Sequence, residues 1–184
     1  MMNEALTFPA PARPAWLETP GLSQSGLRLR PAEATDLPFL RDLYASSRDA
    51  ELACIPWPDA AKRAFCDDQF ALQHHHYVTH CVPATFLIVM LQYKPAGRFY
   101  LHWTPNELRV VDILLAAAVR GRGIGSALLR WAQAITVDAG IGTLNLHVEQ
   151  QNSAAYRLYQ RLGFHEQDVG GGHACMAWSP PAAL

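Results

Sequence analysis

Seven residues, Arg120-Gly121-Arg122-Gly123-Ile124-Gly125-Ser126, restrict this 184-residue chain more than any others. An apolar run from Leu108 to Val119 leads into them, and an amphipathic helical pattern from Ile124 to Ala139 leads out. Strand, glycine loop and helix in that order build a cradle for a phosphate. Glycine frees the loop amides, and the helix N-terminus adds partial positive charge. Guanidinium forks from Arg120 and Arg122 suit the same ligand. A tight turn with no ligand is the other reading of the loop taken alone. The dinucleotide spacing G-x-G-x-x-G fails, because its last position falls on Ser126 or on Leu128, and the Gly-Lys-Ser/Thr of a triphosphate loop is absent.

The rest of the chain predicts a mixed α/β sheet. Residues 1–25 hold Pro9, Pro11, Pro14 and Pro20 and read as an extended arm, with Trp16 and Leu17 free to dock; residues 26–184 read as one domain. Leu27–Arg30 is a first strand. Thr35 or Asp36 caps a helix carrying Leu37, Leu40, Leu43 and Tyr44, and the segment Cys54–Pro58 breaks it. A second helix runs from Asp59 to about His80. Phe86–Met90 centres a strongly apolar strand. Lys94-Pro95-Ala96-Gly97 reads as a turn into a return strand, Arg98–Trp103. Then come the strand Leu108–Leu115, the glycine loop with its helix, a strand Thr143–Glu149, a helix Ser153–Leu162 capped by Asn152, and two short terminal strands.

A net charge of −1 gives nucleic acid no electrostatic footprint. No apolar run approaches the ~20 residues of a membrane span, and the N-terminus lacks a signal-peptide pattern, so a cytoplasmic protein is expected. Cys54, Cys66, Cys81 and Cys175 are scattered and read as reduced, inert thiols. His74-His75-His76 with His80 looks metal-like, but no third carboxylate or cysteine ligand stands in register, which favours a structural or solvated reading and no metal.

Asn152-Ser-Ala-Ala155-Tyr156-Arg-Leu158-Tyr159-Gln-Arg-Leu162-Gly163-Phe164 follows the fifth strand. With Arg120-x-x-Gly123-x-Gly125, it resembles the Gcn5-related N-acetyltransferase (GNAT) superfamily from about residue 107 to 165. The family's proline before the loop is replaced here by Ala116-Ala117-Ala118, a departure that touches the turn more than the chemistry. The resemblance implies the acyl-CoA N-acyltransferase fold, with a mixed, mostly antiparallel central sheet and helices on both faces. It also implies an acetyl-CoA-dependent N-acetyltransferase that moves an acetyl group directly to a primary amine in a ternary complex. A catalytically silent CoA-binding module, sensor or scaffold, is the alternative; a homodimer is a further expectation.

By the same resemblance, acetyl-CoA would lie where Leu108–Leu115 and Thr143–Glu149 splay apart. Ile113, Leu114 and Leu115 would pair with its pantetheine arm, and one N–H there would polarise the thioester. Arg120, Gly121, Arg122, Gly123, Ile124, Gly125 and Ser126 would hold the pyrophosphate. Asn152, Ala155, Tyr156 and Tyr159 would line the arm, with Tyr159 protonating the leaving thiolate. The base is open between Asp112, which alternation puts on one face with Val110 and Leu114, and His147 or Glu149 on the polar face of the fifth strand. Asp112 also reads as half of a structural ion pair with an arginine. Glu51, Trp57, Tyr100 and His102 are candidates for the acceptor pocket.

Overall fold

The computed structural model describes residues 7–11, 22 and 26–181. Most of the proline-rich arm, with Trp16 and Leu17, lies outside the described residues; Phe8 of that arm packs on Phe86 and edge-on against His74.

The described residues form seven strands and four α-helices, in chain order β1 (Leu27–Pro31), α1 (Leu37–Leu52), α2 (Asp59–His80), β2 (Ala84–Leu91), β3 (Lys94–Trp103), β4 (Glu107–Leu115), α3 (Ile124–Asp138), β5 (Thr143–Glu149), α4 (Ser153–Arg161), β6 (His165–Gly170) and β7 (His173–Trp178). They form one mixed sheet in the order β1-β2-β3-β4-β5-β7-β6. Every neighbouring pair is antiparallel except β4 and β5. The parallel pair needs a crossover, and α3 with its glycine loop supplies it.

Both faces of the sheet are covered, which explains why β2 is apolar at every position rather than at alternate ones. Leu87 and Val89 turn to one face with Phe99 and Leu101, under Leu128, Trp131 and Ile135 of α3 and Tyr159 of α4. Phe86 and Ile88 turn to the other with Tyr100, under Leu40 and Leu43 of α1 and Phe70 of α2. The Asp36 carboxylate does not cap α1. It takes two bonds from Arg30, at 2.7 and 2.6 Å, and one from the Glu33 amide at 2.9 Å, tying β1 to the start of the helix.

Two expectations are corrected. The hairpin turn is Gln92–Tyr93, not Lys94–Gly97, and both turn residues have positive φ, 48° and 67°. A two-residue primed turn matches strand twist and demands this conformation. Pro95 is absorbed where the β2–β3 register shifts at Val89/Met90. Gly97 lies inside the sheet because β4 passes close over it: a Cβ there would stand 2.5 Å from the Leu114 carbonyl oxygen and 2.8 Å from Leu115 Cδ2. Gly97→Ala is therefore expected to displace the end of β4 and to cost about 1–3 kcal/mol, the usual range for overpacking. Thermal unfolding reads this as a drop of several degrees; an unchanged midpoint would show that the approach is not tight.

The second correction concerns β4. Tyr100 pairs with Asp112 while Leu101 pairs with Val110, so Val111 is an extra residue, a bulge. Alternation breaks there. Val110 stays with the α3 and α4 cluster, whereas Val111 and Leu114 pack with the α1 and α2 cluster, the face that also carries Asp112. Val110, Asp112 and Leu114 thus do not share one face.

Candidate active site

The bulge coincides with a parting of strands. β4 and β5 pair in parallel from Glu107↔Thr143 only as far as Val110↔Leu146. Beyond that point Val111–Leu115 and His147–Glu149 have no partner in each other, and a gap opens toward the C-terminal ends of both strands. In mixed α/β sheets such a gap is where ligands bind.

The glycine loop follows the C-terminal end of β4, the end toward which this gap opens. Gly121 and Gly123 have φ of +73° and +79° with open space around each absent Cβ, so backbone conformation selects glycine at both. Gly123 is the left-handed residue that starts α3, and no side chain caps the helix. Its first bond runs from the Ala127 amide to the Gly123 carbonyl at 3.0 Å, leaving the preceding amides for a ligand. At Gly125 a Cβ would meet only Leu158 Cδ2, at 3.5 Å, an ordinary contact. The chain itself does not require glycine there; a phosphate seated against the amides would. A cavity of about 110 Å³ adjoins the loop, lined by Arg122, Gly123, Ile124 and Ala127 against Leu27 and Leu91. The two arginines divide the work: Arg122 lines this cavity, whereas Arg120 Nε donates to the Leu115 carbonyl at 2.8 Å and fixes the strand-to-loop turn.

On α4, Asn152 caps the helix as expected, its Oδ1 accepting from the Ala155 amide at 3.1 Å. Tyr156 is bound by its hydroxyl to Glu166 at 2.8 Å. Tyr159 is buried beside Phe164, and its hydroxyl has no hydrogen-bond partner among the described residues. Burial, and then the negative charge of Asp112, push its phenol up to about 12.

Asp112 is half of a buried ion pair. Arg98 Nη2 lies 2.6 Å from its Oδ2, and the Tyr77 hydroxyl donates to the same oxygen at 3.0 Å. Arg98 also donates to Gln73 Oε1 at 2.7 Å, and the guanidinium lies over the Tyr100 ring. The sequence raised this pairing as an alternative but did not identify Arg98, which is separated from Asp112 by a hairpin and carries no local signature. Tyr77 and Tyr100 are both pushed upward, burial first and Asp112 adding to it.

Beside the gap, on the α1 and α2 face, lies a second cavity of about 220 Å³. Its walls come from four elements: His76, His80 and Cys81 at the end of α2, His102 on β3, Arg109 and Val111 on β4, and His147 on β5. Of the acceptor candidates, His102 lines it and Tyr100 is buried in the adjacent core, while Glu51 pairs with Arg48 and Trp57 packs on Phe65, both away from it. Arg109 and Cys81 join it from β4 and the end of α2 with no local sequence signal of that placement. His74 is buried and stacked on Phe70, a structural role. Among the described residues no three of the histidines, cysteines and carboxylates converge to hold a metal ion. All four cysteines are free, and burial raises the thiols of Cys66 and Cys81, which keeps them protonated. No helix among the described residues is long and apolar enough to cross a membrane.

The model of the acetyltransferase (GNAT) family matches residues 37–164. A mycothiol acetyltransferase of Rhodococcus erythropolis is 31% identical over 101 residues, 50% of this chain and 34% of that one. A thialysine N-epsilon-acetyltransferase of Bos taurus is 29% identical over 83 residues, 45% of this chain and 49% of that one. The chain thus spans a third to a half of the length of these curated relatives. Its fold is that of PaiA N-acetyltransferase from Thermoplasma acidophilum, solved in complex with coenzyme A, with a TM-score of 0.66 at 20% identity over 84% of this chain and 99% of that one.

Proposed function

The chain belongs to the acetyltransferase (GNAT) family, and from that premise we propose that it moves an acetyl group from acetyl-CoA to a small primary amine across the gap between β4 and β5. The observation that carries this reading is the parting of the two parallel strands directly before the uncapped glycine loop that starts α3; a largely buried tyrosine on α4 supports it.

Amides from Arg122 to Ser126 hold the pyrophosphate, with Arg122 beside it. Backbone groups of Ile113, Leu114 and Leu115, on the edge that β5 leaves open, pair with the pantetheine amides as an added strand would. Asn152, Ala155 and Tyr156 flank the arm. Bound there, acetyl-CoA supplies an acetyl thioester. One β4 amide polarises its carbonyl. His147 faces the cavity from β5 and accepts the proton of the acceptor's ammonium, directly or through water, with Glu149 further along the same strand passing it to solvent. The freed amine nitrogen then bonds to the acetyl carbon as the carbon–sulfur bond breaks; Tyr159 gives its proton to the departing sulfur, and the second proton that the nitrogen sheds as the amide forms returns through water to the phenolate. Asp112, with one oxygen committed to Arg98 and Tyr77, holds the bulge in shape rather than carrying the proton.

Two measurements test the reading together. Saturating CoA should stabilise the protein against heat, by about 2.7 kcal/mol at a hundredfold excess over Kd. Free thiol should then appear when acetyl-CoA and an amine are supplied. Stabilisation with no thiol release from any amine would replace the enzyme with a silent CoA-binding module. Stabilisation by ATP and not by acetyl-CoA would remove the donor assignment altogether.

A further inference from the structure

We propose that the acceptor is an amine that also carries a carboxylate, a compound of amino-acid size, in preference to a polyamine or other polycation. This rests on reading the second cavity as the acceptor's side of the transfer site, and it concerns what that cavity selects.

The selection follows from what lines the cavity. Four imidazoles line it from three elements, His76 and His80 from α2, His102 from β3 and His147 from β5, together with Arg109 of β4. An imidazole presents at least one N–H in either protonation state, so the lining is rich in donors. No aspartate or glutamate is among the lining residues. The two acids on β4 are already engaged. Glu107 accepts from Arg109 Nη2 at 3.0 Å and from Asn145 at 2.8 Å; Asp112 pairs with Arg98 and Tyr77. A second ammonium would meet only neutral acceptors in the lining, with no unengaged carboxylate to pair its charge.

A carboxylate, by contrast, has two kinds of partner waiting. Arg109 uses Nε on Asn145 and Nη2 on Glu107, which fixes the plane of its guanidinium; Nη1 has no hydrogen-bond partner among the described residues. His102 Nδ1 is buried and equally without a partner there. Both belong to residues that line the cavity. A guanidinium held on two sides and still presenting donors is a preorganised anchor for an anion. Size is compatible: a cavity of about 220 Å³ has room for an amino acid.

The test measures equilibrium binding to the CoA-saturated protein by titration calorimetry, using matched pairs: lysine against cadaverine, phenylalanine against phenethylamine, methionine against 3-(methylthio)propylamine. The amino acid of at least one pair should bind tenfold or more tighter than its decarboxylated partner. Arg109→Gln should abolish that preference. His76→Glu places a carboxylate at the exposed rim of α2, where folding is not at stake, and should cut the preference at least tenfold. Equal or reversed binding in all three pairs, or no binding of any, overturns the proposal. The transferase reading fails separately. Amino-acid binding without thiol release keeps the cavity assignment and removes the reaction; thiol release from amines and amino acids alike, with equal binding, does the reverse.

Discussion

Arg98→Met is expected to cost about 3–5 kcal/mol of stability, the range for breaking a buried ion pair by removing one partner. The Arg98 side chain is 3% exposed and that of Asp112 13%, so the stranded carboxylate cannot recover its hydration. Tyr77 offers it one hydrogen bond, which does not replace a charge at 2.6 Å. With total stabilities of about 5–15 kcal/mol for a domain, the loss is a large fraction. Arg98→Lys should recover part of the loss, because one nitrogen, Nη2, makes the contacts to both Asp112 and Gln73 and an ammonium has donors for both, while the stacking over Tyr100 is lost. The double variant Arg98→Met/Asp112→Leu should recover most of the loss, since an apolar pair of similar volume often matches a buried ion pair. Chemical denaturation of the three variants checks this. A single-variant loss under about 1 kcal/mol, or a double variant worse than the single, would show that the pair is solvated and not what holds the bulge.

The same cluster shows why part of the site was legible in the sequence and part was not. The glycine loop and the Asn152–Phe164 segment are local: Gly121 and Gly123 are required by their own φ, and Asn152 caps a helix three residues away. Such features are written in consecutive residues, and β5, both α-helices around it and the crossover were read correctly from them. The Arg98–Asp112 pair, the Val111 bulge and the Gly97 contact are decided between strands. Nothing near Gly97 announces that the Leu114 carbonyl will pass over it, so Lys94-Pro95-Ala96-Gly97 has the composition of a turn while lying in a strand. The real turn, Gln92–Tyr93, has positive φ without the glycine or asparagine that usually marks it. The second cavity has the same character. Its histidines come from α2, β3 and β5, and only His76 and His80 are close enough in sequence to be noticed together.

Tyr159→Phe should lower kcat by about 10²–10⁴-fold, the usual contribution of a positioned general acid, and leave the Kd for acetyl-CoA within a factor of about three. The argument is one of subtraction. The ring packs beside Phe164 in the α3 and α4 cluster, and phenylalanine keeps that contact. The hydroxyl has no hydrogen-bond partner among the described residues, so no framework bond is lost with it and stability should hold. A merely structural tyrosine would show the opposite pattern, with kcat unchanged. A framework tyrosine would show a third, with kcat, Kd and thermal midpoint falling together. The pH dependence separates the readings again. Burial and the charge of Asp112 raise the phenol to about 12, so it keeps its proton at neutral pH and is in the donating form when the thiolate leaves. Because the folded value lies above the unfolded value near 10, the group's contribution to stability is complete below about pH 10 and is lost as pH rises through about 12. Tyr77 and Tyr100 are raised in the same direction and remain in the variant. The alkaline fall in the urea midpoint should therefore be shallower in Tyr159→Phe than in the parent, yet still present. An identical alkaline limb in the two proteins would mean that the Tyr159 hydroxyl titrates alike in the folded and unfolded chain, and that burial does not raise it.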